Sequence, residues 1–439
     1  MDQNIGSTGE NFMKIYLKLL IVFISIFSVI QLPPPRKIYV YFDKASSPSL
    51  LQMVDYIHTP KRDIKLIYWE RFYSHIQNKN TYQNTFFASS WRNLLDELQQ
   101  LLKKYPRSKI ILHHNLHHDY FFNEFIKHIP KEKILESYAY EDASNYMWWA
   151  KGRNYIFYDN PDIKHKLYMW GDDKKFCSGN NPLIHCDEIS KLKNYVNIIP
   201  VDFHKIANEL SKDDIKKLAK LTGIDLKKYQ KNLKDKEIGV YLLGFVAGYP
   251  LNCHQLIALK DVCSSQKDVT WFYKPHPSNY LTPTKKVLTH FCPNIQKMDA
   301  HLPFEFLILS KMTPKYVSGI GSSVFANLTP DSLLSYIARG KNDFYIPTLK
   351  KAGLITSETQ IYTEETAIKK LEELSIFRVD NNFWFVKIND EYCQFNNDNC
   401  YKILLETKDK KVLQNNKKEV FETSLIQNYH WSSLKKVSE

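Results

Sequence analysis

Four short stretches place ionisable or hydroxylic side chains where a strand is expected to end. The stretch "TWFYKPHPSN" (270–279) sets His276 between Pro275 and Pro277, directly after the apolar run Val269–Tyr273. That run reads as a buried strand, and neither proline can continue it, so Lys274 and His276 belong to a stiff strand exit. A lysine and an imidazole held there suit a phosphate, the first as a point charge and the second as a charged donor. A histidine with a purely structural role fits the same letters. In "SGIGSS" (318–323), Gly319 and Gly321 would let the backbone approach a ligand, and Ser322 and Ser323 offer hydroxyls and N–H groups at a helix start. A serine N-cap after a turn is the alternative. "YEDAS" (140–144) carries the adjacent carboxylates Glu141 and Asp142, whose repulsion can raise one pKa and prepare a general base. Helix capping by Asp142 or Ser144 accounts for the pattern equally well. "HHNLHHD" (113–119) has four histidines, but it begins inside a strand, where neighbours face opposite ways, and it lacks the HExxH spacing of a metal site.

The elements that must position these groups alternate between strand and helix. "KIYVYFD" (37–43), "DIKLIYW" (63–69), "SKIILHHN" (108–115) and "EKILESYAYED" (132–142) read as strands. Helices are expected at 47–58 and 89–106, the latter with apolar Leu94, Leu95, Leu98, Leu101 and Leu102 on one face, and a short one before 132. Residues 150–236 are less regular. The rhythm resumes with "EIGVYLLG" (237–244), a helix around 253–263, "DVTWFYKP" (268–275), helices at 282–290 and Phe304–Leu309, and the strand of "KYVSGIGSS" (315–323). "DFYIP" (343–347) and a helix near 364–374 follow. This βαβ alternation predicts parallel sheets covered by helices on both faces, with ligands beyond the carboxyl ends of the strands. The expected division is an N-terminal segment (1–36), a first Rossmann-like domain with an irregular connection (37–236), a second (237–374), and a polar tail (375–439) whose letters assign no structure.

The chain has 439 residues, enough for two cores rather than one. Its 60 Lys+Arg against 47 Asp+Glu leave +13, which favours anionic ligands or lipid head groups. The surplus is spread along the chain with no arginine-rich block, so nucleic acid is not the expected partner. Seven cysteines, none in a C-x-x-C pair, give no zinc-binding spacing. Cys177/Cys186 and Cys393/Cys400 could close small loops, but scattered reduced thiols are the expectation. Near the start, Lys14 and Lys18 precede the uncharged stretch Leu19–Leu32 and three prolines, Pro33–Pro35. This reads as an uncleaved signal anchor, with a cleaved signal peptide as the alternative. No two aspartates are separated by a single residue, so the Asp-x-Asp pair that holds a divalent ion on a sugar diphosphate is missing.

In order and spacing these motifs resemble the bacterial sialyltransferases of glycosyltransferase family 80, the Pasteurella and Photobacterium type. Glu141-Asp142-Ala143 is similar to the family's D/E-D/E-G motif, Lys274-Pro275-His276-Pro277 to its Lys-x-His-Pro, and Ser322-Ser323 to its paired serines. "YFDKASSPSLLQMVDYI" (41–57), "HHNLHH" (113–118) and "LPFEFLILSKMTPKYVSGIGSS" (302–323) extend the likeness, which covers roughly 37–362. A neighbouring family that sialylates lipooligosaccharide shares the motifs.

The resemblance implies a GT-B fold, two Rossmann-like domains facing a central cleft. It implies an inverting, metal-independent transfer of sialic acid from CMP-sialic acid to a terminal galactose-type sugar of a glycan or glycolipid, with no cofactor. Asp142 would be the base and His276 would meet the departing phosphate. Lys274, Pro277, Glu305, Ser322, Ser323, Ser144 and Gly244 would bind the donor; Asp43, Asn115 and His118 would serve the acceptor. Ala143 departs from the motif's glycine and keeps another CMP-activated acid sugar open as donor, and "GFVAGYPL" (244–251) replaces a Gly-Thr-rich loop with its tryptophan. A membrane-attached protein that binds anionic glycans without turning them over is the alternative in another class. The catalytic part is expected in a bacterial cytoplasm, or in a Golgi lumen if the source is eukaryotic.

Overall fold

The structure, a computed structural model, describes residues 18, 36–141, 155–170, 190–233, 237–243, 251–276, 282–338, 343, 345–379, 383–427 and 430–437. The anchor expected over Leu19–Leu32 lies outside them; among the described residues no helix is long and apolar enough to cross a membrane.

The first sheet is built from β1 (Lys37–Asp43), β2 (Ile64–Trp69), β3 (Thr85–Phe87), β4 (Lys109–Asn115), β5 (Ile134–Tyr140), β6 (Lys164–Trp170) and β7 (Val196–Val201). They are parallel in the order β3-β2-β1-β4-β5-β6-β7. Every residue of β2 and six of the seven in β4 are buried, as a parallel sheet covered on both faces requires. Helix α1 (Ser46–His58) follows β1, and α2 (Trp91–Lys104) starts at Ser90, whose side chain accepts from the Asn93 N–H. Leu94, Leu95 and Leu98 of α2 enter the core shared with Ile38, Val40 and Leu112. The strands β6 and β7 lie in the stretch that the sequence marks only as irregular.

The second sheet repeats the plan with β8 (Ile238–Leu242), β9 (Thr270–Lys274), β10 (Gln296–Lys297), β11 (Tyr316–Ile320), β12 (Leu333–Ile337) and β13 (Gln360–Tyr362), ordered β10-β9-β8-β11-β12-β13. Three helices, α3 (Phe203–Glu209), α4 (Lys212–Thr222) and α5 (Leu226–Leu233), join the two sheets. One core runs through both: Tyr41, Trp69 and Phe72 belong to the same cluster as Phe272, Phe304 and Tyr336. Polar ties cross the same boundary, from Tyr229 Oη to Asp299 at 2.5 Å and between His204 Nε2 and the Asn327 carbonyl at 3.0 Å. On the second sheet lie α6 (Leu251–Ser265), α7 (Lys285–Phe291), α8 (Phe304–Leu309), α9 (Tyr345–Lys351), which contains most of "DFYIP", and α10 (Glu364–Glu373).

The polar tail is a third sheet. Strands β14 (Ile376–Val379), β15 (Phe383–Ile388), β16 (Glu391–Gln394), β17 (Cys400–Glu406), β18 (Lys410–Gln414), β19 (Val420–Gln427) and β20 (His430–Trp431) form a ring, because β18 also pairs with β19; β21 (Lys435–Lys436) lies outside β19. Its small core holds Phe377, Phe385, Tyr392, Leu413 and Trp431. Lys411 is buried among them, its Nζ 4.6 Å from the Trp431 ring centroid and bonded to Tyr392 Oη at 2.9 Å and to Glu406.

The reduced-thiol expectation is corrected. Cys263 is bonded to Cys292, 29 residues away, a proximity that only the fold creates, and Cys393 to Cys400, which closes one of the small loops that the spacing allowed. Cys177 and Cys186 lie outside the described residues.

Burial pushes the Glu406 carboxyl up, but bonds from Lys387, Lys411 and Tyr392 outweigh it and hold the group at about 2. A carboxyl held below its ordinary 4.5 contributes stability above that pH and loses it as pH falls toward about 2. Glu406→Gln leaves Lys411 a buried cation with weaker partners. It is expected to cost about 2–3 kcal/mol, less than a fully buried pair because Glu406 is partly exposed. Urea unfolding of the two proteins, followed by tryptophan fluorescence from pH 7 to pH 2, measures the cost and its progressive loss on acidification.

Candidate active site

In a doubly wound sheet the crevice opens where the strand order reverses, beyond the carboxyl ends. The first sheet reverses between β1 and β4, and the second between β8 and β11. Asp43 ends β1 and Asn115 ends β4; Leu242 ends β8, and Ile320-Gly321-Ser322 follows from β11. Asp43 and Asn115 therefore meet at one switch point and Gly321-Ser322 lie at the other, while Glu141 follows β5 and Lys274 ends β9, the strands one place away.

At the first, Asn115 Nδ2 donates to Asp43 at 3.1 Å, and the same carboxylate accepts the Ala45 N–H at 2.7 Å and Gln52 Nε2 at 3.1 Å. Gln52 in turn accepts from Trp69 Nε1 at 2.9 Å, and Asn115 Oδ1 takes the His117 N–H at 2.7 Å. Asp43, Gln52 and Asn115 are fully buried. A satisfied buried network of this kind sets the shape of the loops above it. The expected acceptor residues Asp43 and Asn115 thus meet, as the floor of this edge. The side chain of His118 lies outside the described residues.

A second network escaped the sequence reading. His113 Nδ1 is 2.8 Å from Tyr140 Oη, and that hydroxyl donates to Asp55 on α1. The imidazole is stacked between Tyr41 and Tyr138, with centroids at 4.3 and 4.6 Å. Burial raises Asp55 to about 6 against the Tyr140 bond, and burial lowers His113 well below the usual imidazole range. The chain thus pins the end of β5, whose ladder continues through the Glu141 N–H to Tyr168 O at 3.0 Å. His114 faces the other way, 3.0 Å from Ser137 Oγ and against Phe122, so the two adjacent histidines share no ligand. Glu141 is buried; Asp142 and Ser144 lie outside the described residues.

At the second sheet, Lys274 O takes the last ladder bond from the Leu243 N–H at 3.0 Å, and Pro275 has no N–H to continue the strand. Pro275 is buried and His276 exposed, so the imidazole stands at the strand exit. Lys274 is buried, and desolvation lowers its ammonium to about 8 although the Glu305 charge opposes that. Glu305 is itself buried in α8. Ser322 caps the short 3-10 turn Ser323–Asn327, accepting from the Val324 N–H at 3.4 Å. The side chain of Ser323, and all of Pro277 and Gly244, lie outside the described residues.

Gly319 has a reason that differs from the expected ligand approach. Its φ is +137°, and a Cβ there would lie 2.2 Å from the Leu242 carbonyl oxygen. Gly321 gives its N–H to Ile337 O at 3.0 Å. The first glycine lets β11 close on β8 beneath the site. His254 on α6 was also missed: it is buried with no partner for either ring nitrogen, and burial lowers it to about 4.

Gly319→Ala is expected to destabilise the protein by about 3–5 kcal/mol, combining a strained φ with overpacking against backbone that cannot yield. A fall of several degrees in the melting midpoint checks it; an unchanged midpoint would mean that β8 and β11 are not held this close.

No protein-family model matches the chain, and no curated protein matches it significantly. Solved structures do. The α/β-galactoside α-2,3-sialyltransferase of Photobacterium phosphoreum is 18% identical, with a TM-score of 0.60 over 74% of this chain and 98% of that one. The GT-B domain of the Photobacterium damselae sialyltransferase is 17% identical, with a TM-score of 0.57 over 74% and 99%. The 2,6-sialyltransferase of Photobacterium sp. JT-ISH-224, solved with CMP and lactose, is 15% identical, with a TM-score of 0.59 over 74% and 78%. At such identities the likeness shows the fold, that of a GT-B protein.

Proposed function

We propose that this chain is a sialyltransferase that moves sialic acid from CMP-sialic acid to a terminal galactose-type sugar. The carrying observation is Lys274, buried beside Glu305 at the end of β9 and followed by an exposed His276. An ammonium with depressed basicity and an imidazole at a strand exit suit the single phosphate of a nucleoside-monophosphate sugar, a diester in the donor and a monoester in the released nucleotide. The pairing with a GT-B fold shared with sialyltransferases, one of them solved with CMP and lactose, supports that ligand.

In this reading the acceptor hydroxyl gives its proton to Asp142 as its oxygen bonds to the anomeric carbon from the face opposite the leaving group. The bond from that carbon to the phosphate oxygen breaks, and the electron pair leaves with CMP. His276 donates a proton or a charged hydrogen bond to the departing oxygen, where charge develops. Lys274 pairs with the phosphate, Glu305 takes the ribose hydroxyls, and Ser322 and Ser323 present donors to the phosphate; Pro277, Gly244 and Ser144 belong to the donor side. Asp43 and Asn115 support the acceptor loops from below, and His118 is assigned to the acceptor side. One phosphate with an ammonium and an imidazolium at hand does not call for a divalent ion. Inversion follows from a single displacement. The cleft would lie between the two sheet edges. The N-terminal apolar stretch would attach the enzyme to a membrane.

The test is the full chain in mild detergent with CMP-sialic acid and lactose, reading released CMP. Asp142→Asn and His276→Ala should each lower kcat by about 10²–10⁴-fold, with CMP affinity kept in Asp142→Asn. A folded protein that neither binds CMP nor releases it from the donor sinks the reading. Parallel assays with other CMP-activated acid sugars decide whether Ala143 has shifted the donor.

The basicity of Lys274 gives a separate check. Below about pH 8 the free enzyme carries the ammonium; above it the amine is neutral and must be protonated on binding. CMP affinity, titrated from pH 6.5 to 9.5, should therefore fall about tenfold per unit beyond pH 8. Lys274→Arg, whose guanidinium does not titrate there, should flatten that limb.

A further inference from the structure

Four cysteines from separate parts of the chain meet in two bonded pairs. Cys263, near the end of α6, is joined to Cys292, the residue that ends α7. Cys393 and Cys400 are direct partners across the β16–β17 ladder. The helices so fixed are the ones that follow the site strands: α6 follows β8, and α7 follows β9 and the Lys274–His276 exit. The start of α7 is also tied to the barrel, through the Thr284 N–H to Phe395 O at 2.9 Å and Lys286 Nζ to Glu391 at 3.0 Å. Both bonds therefore act on the donor-side half of the molecule, and Cys292 and Cys393 are almost fully buried. Glutathione and thioredoxin keep thiols reduced in an ordinary cytosol, whereas secreted and lumenal proteins retain such cross-links. The sequence adds a route: Leu19–Leu32 is 14 uncharged residues after Lys14 and Lys18, within the length of an export signal's apolar core.

We propose that the globular part of this protein works in an oxidising compartment, across a membrane from the reducing cytosol, with both disulfides formed in the active enzyme. This replaces the expectation of a cytoplasmic catalytic part. A second consequence rests on the sialyltransferase reading. Nucleoside triphosphates are held in the cytosol, so the reaction that makes the cytidine-activated sugar precedes a transport step that carries this anionic donor across the membrane. The CMP released by the transfer must then be removed on the far side by return transport or by phosphate hydrolysis.

The test uses the full chain in its own cells, with thiols blocked by N-ethylmaleimide before lysis and tryptic peptides mapped without reductant. The proposal expects peptide 261–267 cross-linked to 287–297, and peptide 388–402, which contains both Cys393 and Cys400, unalkylated and two hydrogens lighter than its dithiol. Alkylation of all four thiols overturns it. Sealed vesicles from the same cells, treated with external protease on their cytosolic face, should protect the chain until detergent is added; digestion without detergent overturns the compartment even if the bonds are present. As a second readout, dithiothreitol or the double variant Cys263→Ser/Cys292→Ser should lower the melting midpoint by several degrees; no change means that the bond is not formed. None of these measurements needs activity. Intact bonds in a chain that ignores CMP-sialic acid would remove the function and the transport step while leaving the compartment standing.

Discussion

A strand buried on both faces can show a polar side chain to solvent only where it ends, and that constraint governs this molecule. Both parallel sheets have strands such as β2 and β8 with no exposed residue. Several ionisable groups are displaced to their carboxyl ends, while the histidines buried within them, His113, His114 and His165, each keep one ring nitrogen without a partner. Asp43, Asn115, Glu141, Lys274 and Ser322 all occupy such ends or the first residues beyond them. The order of strands then decides which ends lie together. Because β1 neighbours β4 and β8 neighbours β11, residues separated by 72 positions, Asp43 and Asn115, share one hydrogen bond.

The elements legible in the sequence are those whose local pattern needs no distant partner. β1 occupies 37–43 as its β-branched and aromatic letters predict, and α2 has its Ser90 cap and its Leu94, Leu95 and Leu98 face. The α8 bounds are also those expected. β7 was not legible: "VNIIPV" has Pro200, and only its two end residues are buried. It is an edge strand, paired with β6 alone, where a proline costs little. β12 and β13 are short and read as loop until their neighbours are known. The tail was opaque for another reason. Its seven-stranded ring closes by β18 meeting β19, its core centre is a lysine, and its apolar runs, Phe383–Val386 and Ile403–Leu405, are short and set among Asn and Lys.

The site was half legible. Lys274, His276 and Ser322 could be picked out because proline and glycine punctuate the strand exits, whereas Glu305 stood out only through the family resemblance. The role of Gly319 could not, since its constraint is the carbonyl of Leu242, which is 77 residues away in sequence. Nor could Asp55, which sits in an ordinary amphipathic helix and is distinguished only by the hydroxyl of Tyr140. The signal available for it was one acidic letter at a half-buried position of α1. Disulfides belong to the same class: spacing suggests which cysteines could meet, and the fold alone decides.

Burial disfavours the charge of Lys274 and lowers it to about 8, although the Glu305 carboxylate opposes that fall. In the proposed reading an arriving phosphate would restore the charge stabilisation that burial removes. A lysine left in water at the same strand end would keep its ordinary basicity and gain less from the ligand, since solvent would already stabilise it. The proline after Lys274 works in the same direction by stopping the strand there. Its missing N–H leaves no ladder bond to draw the chain further, so the imidazole of His276 emerges while the ammonium stays covered. Two neighbouring ionisable side chains, one covered and one exposed, are thus held in different environments by one backbone feature.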